Sequence, residues 1–198
     1  MNISRHNKYT GLAFLLIVLV INSCREEETV INEDFAEAKS AFEYLNMVRL
    51  DPASFSSEIG VDLGYVNPIQ LLTWNDTLAQ VALEKARDMA ARNYFDHVDP
   101  DGNGMNIKIH EAAYTLNPSW VADKSLSYFE SIAAGYDNGI AMVKGLILDE
   151  GVNPPGHRNH LLGIDPFWAD CYDVGVGFVT VNNAEYISYG CILIAKHQ

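Results

Sequence analysis

Four polar side chains from separate segments of the chain could act together on a metal ion or a substrate. His97 lies in the turn-rich stretch FDHVDPDGNG, and Glu130 lies in FESIAAG, among apolar and small residues. Asp149 and Glu150 end an apolar segment, and His157 follows the rigid Pro-Pro-Gly of NPPGHRNHLLG. Two histidines with two carboxylates can coordinate a divalent ion and leave a position open. The sequence therefore indicates a cleft built from these residues; the alternative is a hydrogen-bonded polar cluster without a metal.

The expected metal ligands are His97 and His157. Neutral imidazole nitrogens suit zinc or a similar ion better than calcium, with the acids nearby, binding directly or through water. Two protein nitrogens are fewer than the three or four of strong zinc sites, so zinc should bind weakly and exchange easily. Ligation requires neutral imidazole, and affinity should fall as the pH drops through about 6.5, the ordinary histidine pKa. We expect His160 to take no part.

A second metal pattern lies in the loop after the first of these histidines. Asp99, Asp101, Asn103 and Gly104 match the first half of a D-x-D-x-N-G calcium loop. The twelfth position of such a loop is a bidentate glutamate, and here it is His110. A tight turn explains these residues without a metal, so the sequence does not favour calcium.

The spacing of apolar residues predicts the elements that would position this set. Helices are expected over 32–50 with Asn32 as the N-cap, from Asn75 or Asp76 to Asn93, over 105–113 and over 138–149. A strand is expected at 129–133, a short helical turn after His157, and a hairpin at the C-terminal end. Early helices followed by a terminal hairpin are typical of an α+β fold.

The hairpin also bears on the cysteines, Cys171 and Cys191. The turn sequence predicts that Val181 faces Tyr186. Cys191 then lies opposite Val176, five residues along the strand from Cys171. At about 3.3 Å per residue, this offset exceeds the ~7 Å between Cα atoms that a disulfide allows. We expect no disulfide between the two cysteines.

The N-terminus has the layout of a secretory signal. Arg5 and Lys8 precede an apolar run over 12–21, which is shorter than the ~18–20 residues of a membrane-spanning helix. The sequence INSC, ending at Cys24, resembles a bacterial lipobox, in which the cysteine is lipidated and becomes the first residue of the mature protein. We expect a lipoprotein signal peptide at 1–23, an acidic tether at 24–32 and one domain at 33–198. An ordinary signal peptide cut near the same point is the alternative.

Charge narrows the choice of partners. The chain carries a net charge of −13, which becomes −15 once Arg5 and Lys8 leave with the signal peptide. Such a charge disfavours nucleic acid and anionic membrane surfaces as electrostatic partners. The stretch REEETVINED after Cys24 has the composition of a solvated linker and also resembles the export signal of some surface-displayed outer-membrane lipoproteins. We expect a cell-envelope protein held in the outer membrane by a lipid on Cys24, with display at the cell surface left open.

Four blocks of sequence, in order along the chain, resemble the CAP superfamily, also called SCP or TAPS. They are LTWNDTLAQVALEKARDMAARNYFDHVDPDGNG, ESIAAG, GHRNHLL and DVGVGF, and the resemblance to a short bacterial member runs from about Leu45 to Ala195. It implies a three-layer α-β-α sandwich with a mainly antiparallel central sheet. It also implies a cleft lined by two histidines and two acids.

By motif, the cleft histidines are His97 and His157, and the first acid is Glu130. The resemblance places the second acid one turn after a family tryptophan, here replaced by Leu146, which gives Asp149 with Glu150 as the alternative. The chain departs from the usual Gly-Glu-Asn-Ile around the first acid, and DEGVNPPGHR is longer than the usual Trp-x-x-Ser-Pro-Gly-His. The cleft is therefore expected to be reshaped.

Two functions from different classes fit these residues. The first is a binding module whose cleft or rim takes an unknown lipid, peptide or glycan. The second is a metal-assisted hydrolase, a peptidase or esterase, in which Glu130 acts as the base. Members of the family share a fold but differ in function, so the resemblance does not choose between them. We favour the binding module because no nucleophilic Ser or Cys occurs in a recognisable elbow.

Overall fold

A five-stranded sheet lies between two layers of helices in the computed structural model, which describes residues 30–196. The strands are β1 (Ile31–Glu33), β2 (Thr73–Trp74), β3 (Glu130–Ala134), β4 (Asp173–Val181) and β5 (Ser188–Ala195). The helices are α1 (Phe35–Leu50), α2 (Ser56–Ile59), α3 (Asp76–Arg92), α4 (Met105–Glu111), α5 (Gly139–Leu148), α6 (Gly156–Leu161) and α7 (Pro166–Ala169). The predicted α+β class and α-β-α sandwich are confirmed. Within the described residues, no helix has both the length and the apolar character needed to cross a membrane.

Strand β3 forms one edge of the sheet. The strand order is β1-β4-β5-β3 with antiparallel neighbours, and β2 pairs in parallel with the first residues of β4. Among the described strands, β3 therefore pairs only with β5. Its other side is open to the loops and helix ends that carry the candidate site.

Glycines in the sheet set how closely the two helical layers approach it. A Cβ at Gly175 or Gly177 of β4 would collide with backbone atoms of α3 between Leu78 and Leu83. A Cβ at Gly190 of β5 would collide with Met142 of α5, on the other face of the sheet. Helix α3 is thus held directly on β4, and its C-terminal end is fixed relative to the sheet.

Helix α1 begins two residues later than predicted. The signal peptide, Cys24 and the tether up to residue 29 lie outside the described residues. Asn32, predicted as the N-cap, instead pairs with β4 in strand β1, as does Ile31 from the end of the expected tether. The N-cap is Asp34, whose side chain accepts from the N–H of Glu37 at 3.0 Å. The pairing involves a strand far away in the sequence, which the local helical pattern does not reveal.

The β4–β5 register differs from the predicted one by one residue. The N–H of Val181 donates to the carbonyl of Ile187 at 2.8 Å, so the turn is one residue longer than expected. Cys191 therefore lies opposite Gly177 and not opposite Val176, the predicted partner. Cys171 and Cys191 are both free, buried thiols, as the offset between them predicts.

Candidate functional site

The loop that carries His97 begins where α3 ends. Asn93 closes the helix in the left-handed backbone conformation (φ 51°), which asparagine tolerates better than most residues. Lys85, buried on α3, donates from its ammonium group to the carbonyl of Asp96 at 2.7 Å and to that of His97 at 3.3 Å. Because α3 is fixed on the sheet, this lysine fixes the backbone of His97 as well.

His97 pairs with Glu130, the first residue of β3. The ring Nδ1 lies 2.7 Å from Oε2 of the carboxylate. A carboxylate oxygen accepts, so Nδ1 carries the proton and Nε2 remains for another partner. The hydrogen bond that Nδ1 donates to Glu130 raises the pKa of His97, with burial acting in the opposite direction. The ring stays 45 % exposed.

Glu130 itself is closed off behind this ring. Its side chain is 0 % exposed. Besides binding His97, the carboxylate accepts from the hydroxyl of Ser127 at 3.0 Å and from the thiol of Cys191 at 3.7 Å. Protein groups therefore surround the buried acid on several sides, and the exposed partner of the pair is the imidazole.

His157 pairs with Asp149 in the same way. Its Nδ1 lies 2.7 Å from Oδ1, and Oδ2 accepts from the backbone N–H groups of His157 at 2.9 Å and Arg158 at 3.3 Å. Asp149 is the C-cap of α5 in the left-handed conformation (φ 52°), where the chain leaves the helix. The carboxylate is buried and the ring is 28 % exposed. The same polar pair thus recurs: a buried carboxylate, a bound Nδ1 and a partly exposed ring.

Arg158 locks α5 to α6 beside this pair. Its Nε donates to the carbonyl of Ile147 and its Nη2 to that of Leu148, both at 2.6 Å. These carbonyls belong to the last turn of α5, where no N–H group of the helix itself is available to bond to them. Asp149 satisfies N–H groups at the start of α6 while Arg158 satisfies carbonyls at the end of α5. This reciprocal pairing anchors the short helix to the longer one.

Neither Glu150 nor His160 takes part in these two His–carboxylate pairs. Glu150, the alternative second acid, is exposed, and it is Asp149 that binds His157. His160 is buried, with Nδ1 2.8 Å from the hydroxyl of Ser131 and its ring 5.5 Å from that of Trp168. Burial lowers the pKa of His160 to about 3, so the ring is neutral in the folded protein. It has a structural role beneath the site.

A cleft of about 240 Å³ opens along the free side of β3. Residues 132–134 of β3 line it together with Asp149, Glu150, His157, Phe95, Tyr136, Gly145, Leu146, Val152 and Tyr186. The His97–Glu130 pair lies at the start of the same strand.

The donor chemistry of the two pairs fits a weakly held ion. In metal sites, a ligating histidine usually donates its second nitrogen to a carboxylate, which orients the ring. Both histidines already make that contact through Nδ1, which leaves Nε2 as the donor. Over residues 30–196, no group of three or more His, Cys, Asp or Glu side chains is placed to hold an ion. Any site built from these residues would therefore use the two imidazoles and lack the ligand count of a tight centre.

The loop that resembles half of a calcium site is organised around Asp99. The carboxylate of Asp99 accepts from the N–H groups of Asp101 at 2.9 Å and Asn103 at 2.8 Å. Lys108 forms an ion pair with it at 3.2 Å. Burial opposes ionisation, but the hydrogen bonds from Asn103 and the contact with Lys108 lower the pKa of Asp99 to about 2. The aspartate is used as the centre of a turn.

Comparison with known proteins identifies the family to which this fold belongs. Residues 42–193 match the family model of the cysteine-rich secretory protein family, CAP. The chain belongs to the CAP family. Its sandwich also matches the solved structure of an extracellular protein containing a SCP domain from Bacillus anthracis, with 22 % identity and a TM-score of 0.51. That match covers 81 % of this chain and 41 % of the other, so the chain spans less than half of that protein.

A second solved structure is similar over its whole length. It is an outer surface protein from Borrelia burgdorferi, 16 % identical with a TM-score of 0.56, and the match covers 85 % of this chain and 100 % of that protein. No significant match was found among curated proteins. At these identities the structural likeness shows the shared fold alone.

The CAP domain departs from the family pattern around Glu130, and the structure shows what replaces the usual residues. Phe129 stands at the glycine position, fully buried, with its ring stacked on Phe167 at a centroid distance of 5.7 Å. Ser131 stands at the asparagine position and binds His160. Sequence reasoning missed this Ser131–His160 pair, which adds to the two His–carboxylate pairs. The three-residue spacing from His157 was the available signal, since it carries His160 nearly one helical turn further along α6.

Proposed function

We propose that this CAP domain is a binding module of the cell envelope, anchored through a lipid on Cys24, with a ligand-binding cleft beside β3. The observation that carries the proposal is the pair of His–carboxylate units, each with a buried acid and a partly exposed ring. They present imidazole Nε2 atoms to a ligand or to a divalent ion such as zinc. The extracellular and outer-surface proteins that share the fold are compatible with this location.

The position of Glu130 favours binding over hydrolysis. A general base must reach the water or group that it deprotonates. Glu130 is fully buried and occupied by His97, Ser127 and Cys191. A metal-assisted peptidase or esterase acting through this residue would need the carboxylate to leave those partners. We therefore expect no hydrolysis that depends on Glu130; turnover of a peptide or ester substrate that Glu130→Gln abolishes in a folded protein would reverse this preference.

Zinc calorimetry tests the cleft. We expect weak binding to the native protein and loss of the heat signal in both His97→Ala and His157→Ala. His110→Ala is the matched control, because His110 is exposed on α4; the buried His160 is unsuitable, since its loss would disturb the fold. Equal loss in the control, or full binding in either cleft variant, would contradict the assignment. A zinc ion in the cleft would supply Lewis acidity and a fixed positive charge.

The anchor is tested separately. Cys24→Ala should release the protein from the membrane fraction, because the acyl chain has no other attachment point in the lipobox-like sequence. Ser23→Thr keeps the cysteine and serves as the control. A Cys24→Ala protein that still pellets with membranes after a carbonate wash would contradict lipidation at this residue.

A further inference from the structure

The outer side of α1 carries an apolar surface away from the cleft. Phe35 is 66 % exposed, Leu50 62 % and Met47 51 %. Residues 35, 39, 42, 46 and 50 recur at helical spacing and form one stripe. We define the α1 apolar face as Phe35, Phe42, Leu50, Leu71 and Trp74; Met47 lies about 100° further round the helix and is not part of it. Contiguous exposed apolar surface marks an interaction site.

Contacts within the α1 apolar face make it a fixed surface. The ring of Trp74 lies 5.5 Å from that of Phe42 and 6.0 Å from that of Phe35, both edge-on. The ammonium group of Lys39 lies 3.4 Å from the centre of the Trp74 ring. The indole N–H is satisfied by Asp76 at 2.9 Å. Contacts within the chain therefore fix these rings relative to one another.

The loop before β2 is attached to the same helix. The side chain of Asn46 accepts from the N–H of Leu72 at 2.8 Å and donates to its carbonyl at 3.0 Å. The N–H of Ile69 donates to the carbonyl of Arg49 at 3.1 Å. These bonds hold the exposed Leu71 beside the stripe of α1 and extend the apolar surface across two elements.

We infer that the α1 apolar face rests on the lipid bilayer that carries the acyl anchor. The inference depends on the anchor proposed at Cys24. Seven residues lead from Cys24 to Ile31, the first residue of β1, and a fully extended chain of that length spans about 25 Å. Phe35 follows four residues later. The tether therefore keeps this end of α1 close to the bilayer.

The residue types of the face suit a membrane interface. Aromatic rings are enriched at the level of the lipid headgroups. A lysine such as Lys39 can lay its aliphatic stem along apolar surface while its charge remains in water. Once Arg5 and Lys8 leave with the signal peptide, the net charge of −13 becomes −15, which gives the anchored protein no electrostatic attraction to anionic lipid. Contact must therefore come from apolar burial, and added salt should not weaken it.

Docking on this face would set the orientation of the domain. Helix α1 and its layer would lie against the bilayer, and α3, on the other face of the sheet, would point away from it. The cleft beside β3 would lie at the side of the domain, open to ligands that approach along the membrane or from solution.

Dye labels on the intact lipoprotein test the inference. Single cysteines are introduced as Leu50→Cys, Leu71→Cys and Tyr128→Cys, and each is labelled with an environment-sensitive dye. Tyr128, 43 % exposed and just before β3, is the control. Cys171 and Cys191 are fully buried, and the acyl chain would block Cys24. The proteins are reconstituted in vesicles of phosphatidylethanolamine and phosphatidylglycerol, with and without lipids brominated near the headgroup.

We expect blue-shifted emission and bromine quenching at positions 50 and 71, and water-like emission at 128. Adding Phe35→Ser to the Leu71→Cys protein should reduce the shift without releasing the protein. Water-like emission at all three positions, in protein that resists a carbonate wash, would overturn the docking face and leave the anchor standing. Release by carbonate would overturn the anchor and the inference with it. A blue shift without vesicles that grows with protein concentration would overturn the membrane contact and assign the face to a second copy of the chain.

Discussion

The carboxylate of Asp149 binds His157 twice, through the ring Nδ1 at 2.7 Å and through the backbone N–H at 2.9 Å. One acid therefore orients the imidazole and also fixes the first turn of α6. The other half of the site is supported differently, because His97 lies in a loop held by Lys85 while Glu130 lies on a strand. The two halves can be perturbed separately.

Asp149→Asn should weaken zinc binding about 10- to 100-fold, the usual effect of removing a carboxylate that orients a metal-ligating histidine. Asparagine tolerates the left-handed conformation at this position, so the fold should survive. Glu150→Gln is the matched control and should bind as the native protein does, since Glu150 is exposed. Calorimetry on both variants measures the difference. Loss in Glu150→Gln with native binding in Asp149→Asn would make Glu150 the functional acid, and an equal loss in the two would contradict a specific role for Asp149.

The His97–Glu130 pair should make stability depend on pH in a defined direction. Its hydrogen bond to Glu130 raises the pKa of His97 above that of the unfolded chain. The stabilisation from this pair is therefore complete below about 6.5, the ordinary histidine pKa, and is lost as the pH rises through the folded-state pKa. The stability difference between the native protein and Glu130→Gln should shrink as the pH rises.

Proton NMR of the His97 ring and urea unfolding at several pH values test this dependence. The titration midpoint of His97 should lie above about 6.5 in the native protein and should fall in Glu130→Gln. A midpoint that does not move would mean that Glu130 has no part in the shift.

His160 should act in the opposite direction. Burial lowers its pKa to about 3, so between that value and about 6.5 the unfolded chain binds a proton that the folded chain does not. Stability should therefore fall by about 1.4 kcal/mol per pH unit as the pH drops through this window. His160→Gln can still bond to Ser131 and should flatten the slope, whereas His110→Gln should not. Urea unfolding from pH 7 to pH 4 measures both, and parallel slopes would contradict a buried neutral ring.

Gly177→Ala should destabilise the domain by about 1–3 kcal/mol or more, the range for overpacking a core. The new methyl group would collide with the backbone of α3 at Ala82 and Leu83, and neither the strand nor the helix can move independently. Gly156→Ala is the control, because nothing lies within 4 Å of the added carbon there. Denaturant midpoints compare the two, and a native midpoint for Gly177→Ala would mean that α3 is not held directly on the strand.

Local patterns predicted much of the scaffold. The start of α3 was predicted because its N-cap Asn75 and its apolar face lie close together in the sequence, and the structure shows the cap bond to Leu78 at 3.0 Å. The strand with Glu130 and the helix that ends before Asp149 were also expected, and both lie within one residue of their predicted ends. The four blocks of family resemblance indicated His97 in the loop after α3 and His157 directly after the proline turn, where α6 begins.

Features that depend on long-range contacts or on a single backbone turn were not predicted from the sequence. The choice between Asp149 and Glu150 depends on a left-handed turn at one residue, which no spacing rule reveals. The register of the hairpin depends on one extra residue in its turn. Nothing in the helical pattern of α3 marks Lys85 as buried, yet it is buried because backbone carbonyls of residues 96 and 97 accept its protons.

The position of β3 at the edge of the sheet links ligand binding to self-association. An edge strand presents unpaired backbone groups that can template the addition of a strand from another molecule. In this domain the cleft borders the side of β3 that no described strand covers. An occupant of the cleft would shield that edge, so an empty protein should aggregate sooner under mild heating than a saturated one. An occupied cleft would then protect the domain against aggregation in addition to binding its ligand.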